Sequence, residues 1–158
     1  MPTAQELPID TSASAEQMAE AIFGNGIEIE SASYTGASSA SGIYSNGDTI
    51  APGVTPSDTG VILSTGRATD FTNSSGSTNT NTSSGRSTSH GTAGDSDLDA
   101  IAGGTTYDAA VFEADFVPEG SNLTMQFVFS SEEYLEYVNS GYNDAVSVWV
   151  AAVAVVLT

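Results

Sequence analysis

Val111-Phe112-Glu113-Ala114-Asp115-Phe116-Val117, then Pro118-Glu119-Gly120-Ser121-Asn122, then Leu123-Thr124-Met125-Gln126-Phe127-Val128-Phe129 is the stretch that decides the fold class. In the first run Phe112, Ala114 and Phe116 alternate with Glu113 and Asp115. In the last, Leu123, Met125, Phe127 and Phe129 fall on one side. A period of two is the signature of a strand with one face on a core. The segment between them, rich in turn-forming residues, predicts that the two strands form an antiparallel hairpin.

The same period recurs on both sides. Upstream, Ile27-Glu28-Ile29-Glu30 alternates, and Ala32 and Tyr34 continue the strand after a bulge. Gly60-Val61-Ile62-Leu63-Ser64-Thr65 reads as a buried strand. Gly42 to Thr59, with Asn46-Gly47-Asp48, Pro52-Gly53 and Pro56, reads as consecutive turns. Downstream, Val146, Val148 and Val150 begin another strand, with Trp149 on its opposite face. Ala145 to Leu157 is apolar apart from Ser147. That run is too short for a helix across a bilayer, which needs about 20 residues. Its β-branched content predicts a strand.

One helix is expected. Ser14-x-x-Gln17 is a capping box, and Ala15, Met18, Ala19 and Ile22 form an apolar stripe that Gly24 ends before an Asn25-Gly26 turn. Residues 72–92 contain Ser, Thr, Asn and Gly with almost no apolar side chain, which predicts a long mobile loop. His90, the only histidine, is expected to be solvated within it. The organisation predicted is an N-terminal segment over 1–26 and an all-β domain over 27–158: an antiparallel β-sandwich of jelly-roll type.

Composition narrows the function. Twenty acidic residues face two basic ones, Arg67 and Arg86, for a net charge of -18. This surface repels nucleic-acid phosphates and anionic lipids and attracts cations. No nucleic acid and no membrane insertion are expected. With no cysteine there are no disulfides, thiol nucleophiles or zinc-thiolate sites. With no lysine there is no Schiff-base chemistry. A Ser-His-Asp triad would need a fixed histidine. A carboxylate pair such as Glu133 and Asp144 is too common a feature to indicate a glycosidase. The expectation is a protein without catalysis. Met1 to Asp10 has neither a basic nor an apolar export segment, so export by another route, or by a signal outside this chain, is expected.

The candidate site is acidic. Asp95-x-Asp97-x-Asp99 alternates carboxylates as a loop around a hard cation does. An EF-hand is excluded, because Ala100 and Thr106 stand where glycine and a bidentate glutamate are required. Glu132-Glu133 follow the apolar strand, and Asn143-Asp144 open the next. Convergence of Glu132, Glu133, Asn143 and Asp144 with Asp95, Asp97 and Asp99 would supply enough oxygens for calcium. The partners expected are a surface glycan or protein, or copies of the chain joined by strand addition. Tyr134, Tyr137, Tyr142 and Trp149 are the stacking platforms a glycan would use.

Several motifs occur in an order that resembles the bacterial choice-of-anchor L domain. They are Gly60-Val61-Ile62-Leu63-Ser64-Thr65-Gly66, Gly94-Asp95-Ser96-Asp97-Leu98, Thr106-Tyr107-Asp108-Ala109-Ala110, Phe129-Ser130-Ser131-Glu132-Glu133-Tyr134, Glu136-Tyr137 and Tyr142-Asn143-Asp144. The resemblance runs from about Ile27 to Val150. It implies a secreted or surface-attached module, and it implies no enzymatic activity. The acidic motifs of the family fall on the residues chosen above as ligands. Leu135 stands where the family pattern often has proline. Ala151 to Thr158 does not resemble the turn expected after the tryptophan strand, so a domain incomplete at its C-terminus is expected.

Overall fold

Helix α1, Ala15–Ile22, ties the architecture together. In this computed structural model, which describes residues 5–71, 88–131, 137–141 and 144–151, the capping box is complete. Ser14 Oγ accepts from the Gln17 N–H, and Gln17 Oε1 accepts from the Ser14 N–H. The helix ends at Phe23, whose backbone is extended, and Gly24 plays no left-handed capping role.

Two antiparallel sheets surround the helix. In one, β1 (Ile9–Asp10), β3 (Ser41–Tyr44) and β4 (Gly60–Leu63) lie in the order β1-β3-β4. In the other, β2 (Ile27–Thr35) pairs with β5 (Val111–Pro118). The expected bulge in β2 is present, between Ile29 and Ser31. It moves the inward row from Ile27 and Ile29 to Ala32 and Tyr34, which face the same side as Phe112, Ala114 and Phe116. Helix α1 packs on β2 of one sheet and on β3 and β4 of the other. The Phe23 ring adds a tilted contact to Phe116, with centroids 4.7 Å apart.

The core is small and rich in alanine. Leu7 and Met18 are its largest fully buried side chains, joined by Ala19, Ala40, Tyr44, Ala51, Ala68 and Ala109. Close approach explains Gly42 in β3, where a Cβ would stand 2.7 Å from Ile9 Cγ2 and 2.9 Å from the Asp10 carbonyl oxygen. Chain outside the strands adds α2 (Gly47–Ile50), a 3-10 turn (Ala68–Phe71) and α3 (Ser96–Ala102). The class is as expected: antiparallel sheets with few short helices.

Local readings differ from the structure at four places. Gly42 to Thr59 was expected to be turns throughout, yet Gly42 to Tyr44 belong to β3, and Asn46 in the left-handed region starts α2. Gly60 to Leu63 is half-buried rather than buried, with Leu63 exposed. The hairpin between Val111–Val117 and Leu123–Phe129 does not form: β5 takes β2 as its ladder partner, while residues 122–131 join no ladder among the described residues. Alternation states that a strand exists but carries no information about which edge it pairs with. Here the inward row of β2, held by α1, offers β5 a second apolar surface. Val146 to Val150 likewise joins no ladder among the described residues.

Candidate functional site

Residues 88–110 form a knot of hydrogen bonds centred on two aspartates. Asp108 is 8 % exposed and holds φ of 53°, in the left-handed region. Its Oδ1 accepts from the Thr92 N–H at 2.7 Å and from Thr92 Oγ1 at 3.0 Å, and its Oδ2 accepts from the His90 N–H at 3.0 Å. Its own N–H donates to the Thr92 carbonyl, and the Ala109 N–H donates to that of Ala93. Donors aimed at a carboxylate favour its charged form. The Thr92 N–H, acting most strongly, with His90, Thr92 Oγ1 and Ser89, therefore holds Asp108 below the usual aspartate range against an opposing effect of burial.

His90 is fixed by the same knot. Its Nε2 lies 3.0 Å from the Gly66 carbonyl oxygen, and the ring is half-buried. A carbonyl only accepts, so Nε2 carries the hydrogen. The expectation of a solvated histidine is corrected: Gly66 and Asp108 anchor it at ring and backbone. Residues 72–87 of the expected loop lie outside the described residues.

The Asp95-x-Asp97-x-Asp99 segment starts a helix, where a loop was expected. Asp95 is the N-cap of α3 and accepts from the Asp97 and Leu98 N–H groups at 2.9 and 3.3 Å. Asp97 and Asp99 occupy the first turn, where negative charge meets the positive end of the helix. Asp99 Oδ1 accepts from the N–H and Oγ1 of Thr106 at 2.5 and 2.7 Å. These two donors, the hydroxyl first, hold Asp99 below the usual aspartate range. Thr106 Oγ1 also accepts from the Asp95 N–H at 3.1 Å. Gly94 lies so close to Thr106 that any Cβ would collide with its carbonyl. Asp97 is exposed.

Among the other ligand candidates, Asp144 accepts from Ser131 Oγ at 2.8 Å, which brings the end of the 122–131 segment beside the start of the 144–151 segment. Glu132, Glu133 and Asn143 lie outside the described residues, as do Tyr134 and Tyr142 of the expected stacking platforms. Tyr137 and Trp149 are exposed. Among the described residues no three histidine or acidic side chains gather as a metal site would. Sequence reasoning missed Asp108 as a structural centre. Asp108 lies in the Thr106-Tyr107-Asp108 motif, yet only the pairing of residues 88–93 with 106–109 gives it this central place.

A model of the choice-of-anchor L domain family matches residues 6–156. The chain belongs to the choice-of-anchor L domain family. The match begins at Glu6 and so takes in β1 and α1 as well as the motifs downstream. No curated protein matches the chain, and no solved structure does. As a choice-of-anchor L domain the chain is a bacterial surface or secreted module. Among the described residues no helix is long and apolar enough to cross a membrane.

Proposed function

We propose that this choice-of-anchor L domain is a non-catalytic adhesion and matrix module that binds by strand addition, a second copy of the chain being its first partner, with calcium as the stabilising counter-ion. One observation carries the reading: two strand-patterned segments present their side chains to solvent. Leu123, Met125, Phe127 and Phe129 alternate along one, and Val146, Val148 and Val150 along the other. Exposure reaches 63 % at Phe127 in the first and 73 % at Trp149 in the second. A segment of strand pattern with alternating apolar side chains that joins no ladder among the described residues is what an added strand completes. Most of these side chains are not aromatic, which favours a strand over a sugar as the occupant.

Charge supplies the calcium half. Copies that each carry a net charge of -18 repel one another, and screening or divalent cations relieve that repulsion. Glu28, Glu113 and Asp115 share the exposed face of the β2–β5 sheet, available to cations. Asp95, Asp99 and Asp108 are engaged in caps and turns, and His90 is tied to Gly66. These attachments favour a structural role for the knot over acid–base work.

Sedimentation velocity on the 158-residue chain tests the proposal across a concentration series in calcium, in chelator, and in sodium chloride of matched ionic strength. The expected result is reversible association that calcium promotes beyond the ionic-strength control and that Phe127→Glu abolishes. A single monomeric species under all three conditions overturns assembly by strand addition. Association indifferent to Phe127→Glu moves the contact elsewhere and overturns it equally.

A further inference from the structure

The chain contains two Asn-Gly pairs, Asn25-Gly26 and Asn46-Gly47, and the fold treats them oppositely. We propose that Asn25 is a site of spontaneous deamidation and isoaspartate formation, while Asn46 is protected by the structure. The reaction needs the amide nitrogen of the following residue to reach the asparagine side-chain carbonyl carbon. The Gly26 nitrogen loses its proton to solvent and bonds to Asn25 Cγ. The bond from Cγ to the side-chain nitrogen breaks, and ammonia leaves. Water then opens the succinimide ring at either carbonyl, giving aspartate or isoaspartate.

Several features favour cyclisation at Asn25. It is exposed, in the turn between α1 and β2, and Gly26 holds φ of 89°. Gly26 is not crowded: beyond its chain neighbours, a Cβ there would meet Glu119 Oε2 at 3.7 Å, an ordinary contact with the end of a flexible side chain. Among the described residues no hydrogen bond occupies the Gly26 N–H. The requirements fail at Asn46. The Gly47 N–H donates to the Asp58 carbonyl at 2.9 Å, Gly47 is buried at the start of α2, and a Cβ there would stand 2.5 Å from the Ser57 carbonyl oxygen. Cyclisation at Asn46 therefore waits for local opening, whereas at Asn25 it does not.

The product acts on the β2–β5 ladder. The Gly26 carbonyl accepts from the Glu119 N–H at 2.9 Å, just beyond the terminal pair Ile27 and Pro118. Conversion to isoaspartate lengthens the backbone at this turn, and either product adds a carboxylate near Glu119 and Glu28.

The test is fragment-ion mapping of amide-to-acid conversion at both asparagines after mildly alkaline incubation of the intact chain, folded and in urea, with isoaspartyl methyltransferase labelling alongside. In the folded chain Asn46 is expected to convert at least about tenfold more slowly than Asn25, equivalent to ~1.4 kcal/mol of protection. Urea closes the gap, and in the folded chain Asn25→Gln removes the isoaspartate label at that position. Equal rates at the two sites in the folded chain overturn the inference. So does an unchanged Asn25 in a folded chain whose urea-treated counterpart converts.

Discussion

Asp95 offers the sharpest separation of a helix cap from a calcium ligand, because serine can perform the first role and not the second. The carboxylate accepts from the Asp97 and Leu98 N–H groups at the start of α3. Ser, Asp and Asn cap comparably, whereas alanine leaves the donors unpaired at a cost of about 1 kcal/mol. For a chain of this length that is roughly 2–4 °C in melting temperature. Asp95→Ala is therefore expected to melt about 2–4 °C below the parent, and Asp95→Ser within about a degree of it. If calcium acts on the acidic surface as a whole, its addition raises all three melting temperatures by nearly the same increment. Calorimetry or circular dichroism melts, with calcium and with chelator, read both quantities. A calcium increment lost in both variants, with equal melting temperatures in chelator, would refute the cap and make Asp95 a ligand. A parent indifferent to calcium would remove the ion from the account altogether.

Two further outcomes follow from the core and the knot. Met18→Ala empties one of the two largest buried positions, and the three heavy atoms lost carry about 0.8 kcal/mol per methylene-sized group. With the cavity included, about 2–5 kcal/mol is expected in denaturant titration, against less than ~0.5 for exposed Glu20→Ala on the same helix. Asp108→Asn lowers the melting temperature at neutral pH. Because the folded state depresses the Asp108 carboxyl, its contribution is complete above the unfolded aspartate value of about 3.9 and is lost as pH falls through the lower folded value. The gap between parent and variant should narrow in that acid window, and a gap constant with pH counts against the hydrogen-bonded carboxylate.

Helix α1 was legible because all its signals are local: the capping box, the stripe and the terminus lie within eleven residues, 14–24. The alternation and bulge of β2, and the inward row of β5, were legible for the same reason. Helix α3 was legible in principle, through Asp95 as N-cap, Leu98 and Ile101 at helical spacing, and Gly103 as its left-handed terminus with φ of 71°. The acidic triplet drew the reading toward a cation loop, yet helix starts favour the same residues.

Residue order by itself determined an acidic, cysteine-free β-protein with one capped helix, since composition and periodicity depend only on neighbours along the chain. Tertiary structure decided which strands meet, that β5 joins β2 instead of Leu123–Phe129, and that His90 and Asp108 share a knot. Those outcomes join residues as far apart along the chain as Ile27 and Pro118. Such pairings turn on the shape and burial of both surfaces together, and no local window contains both.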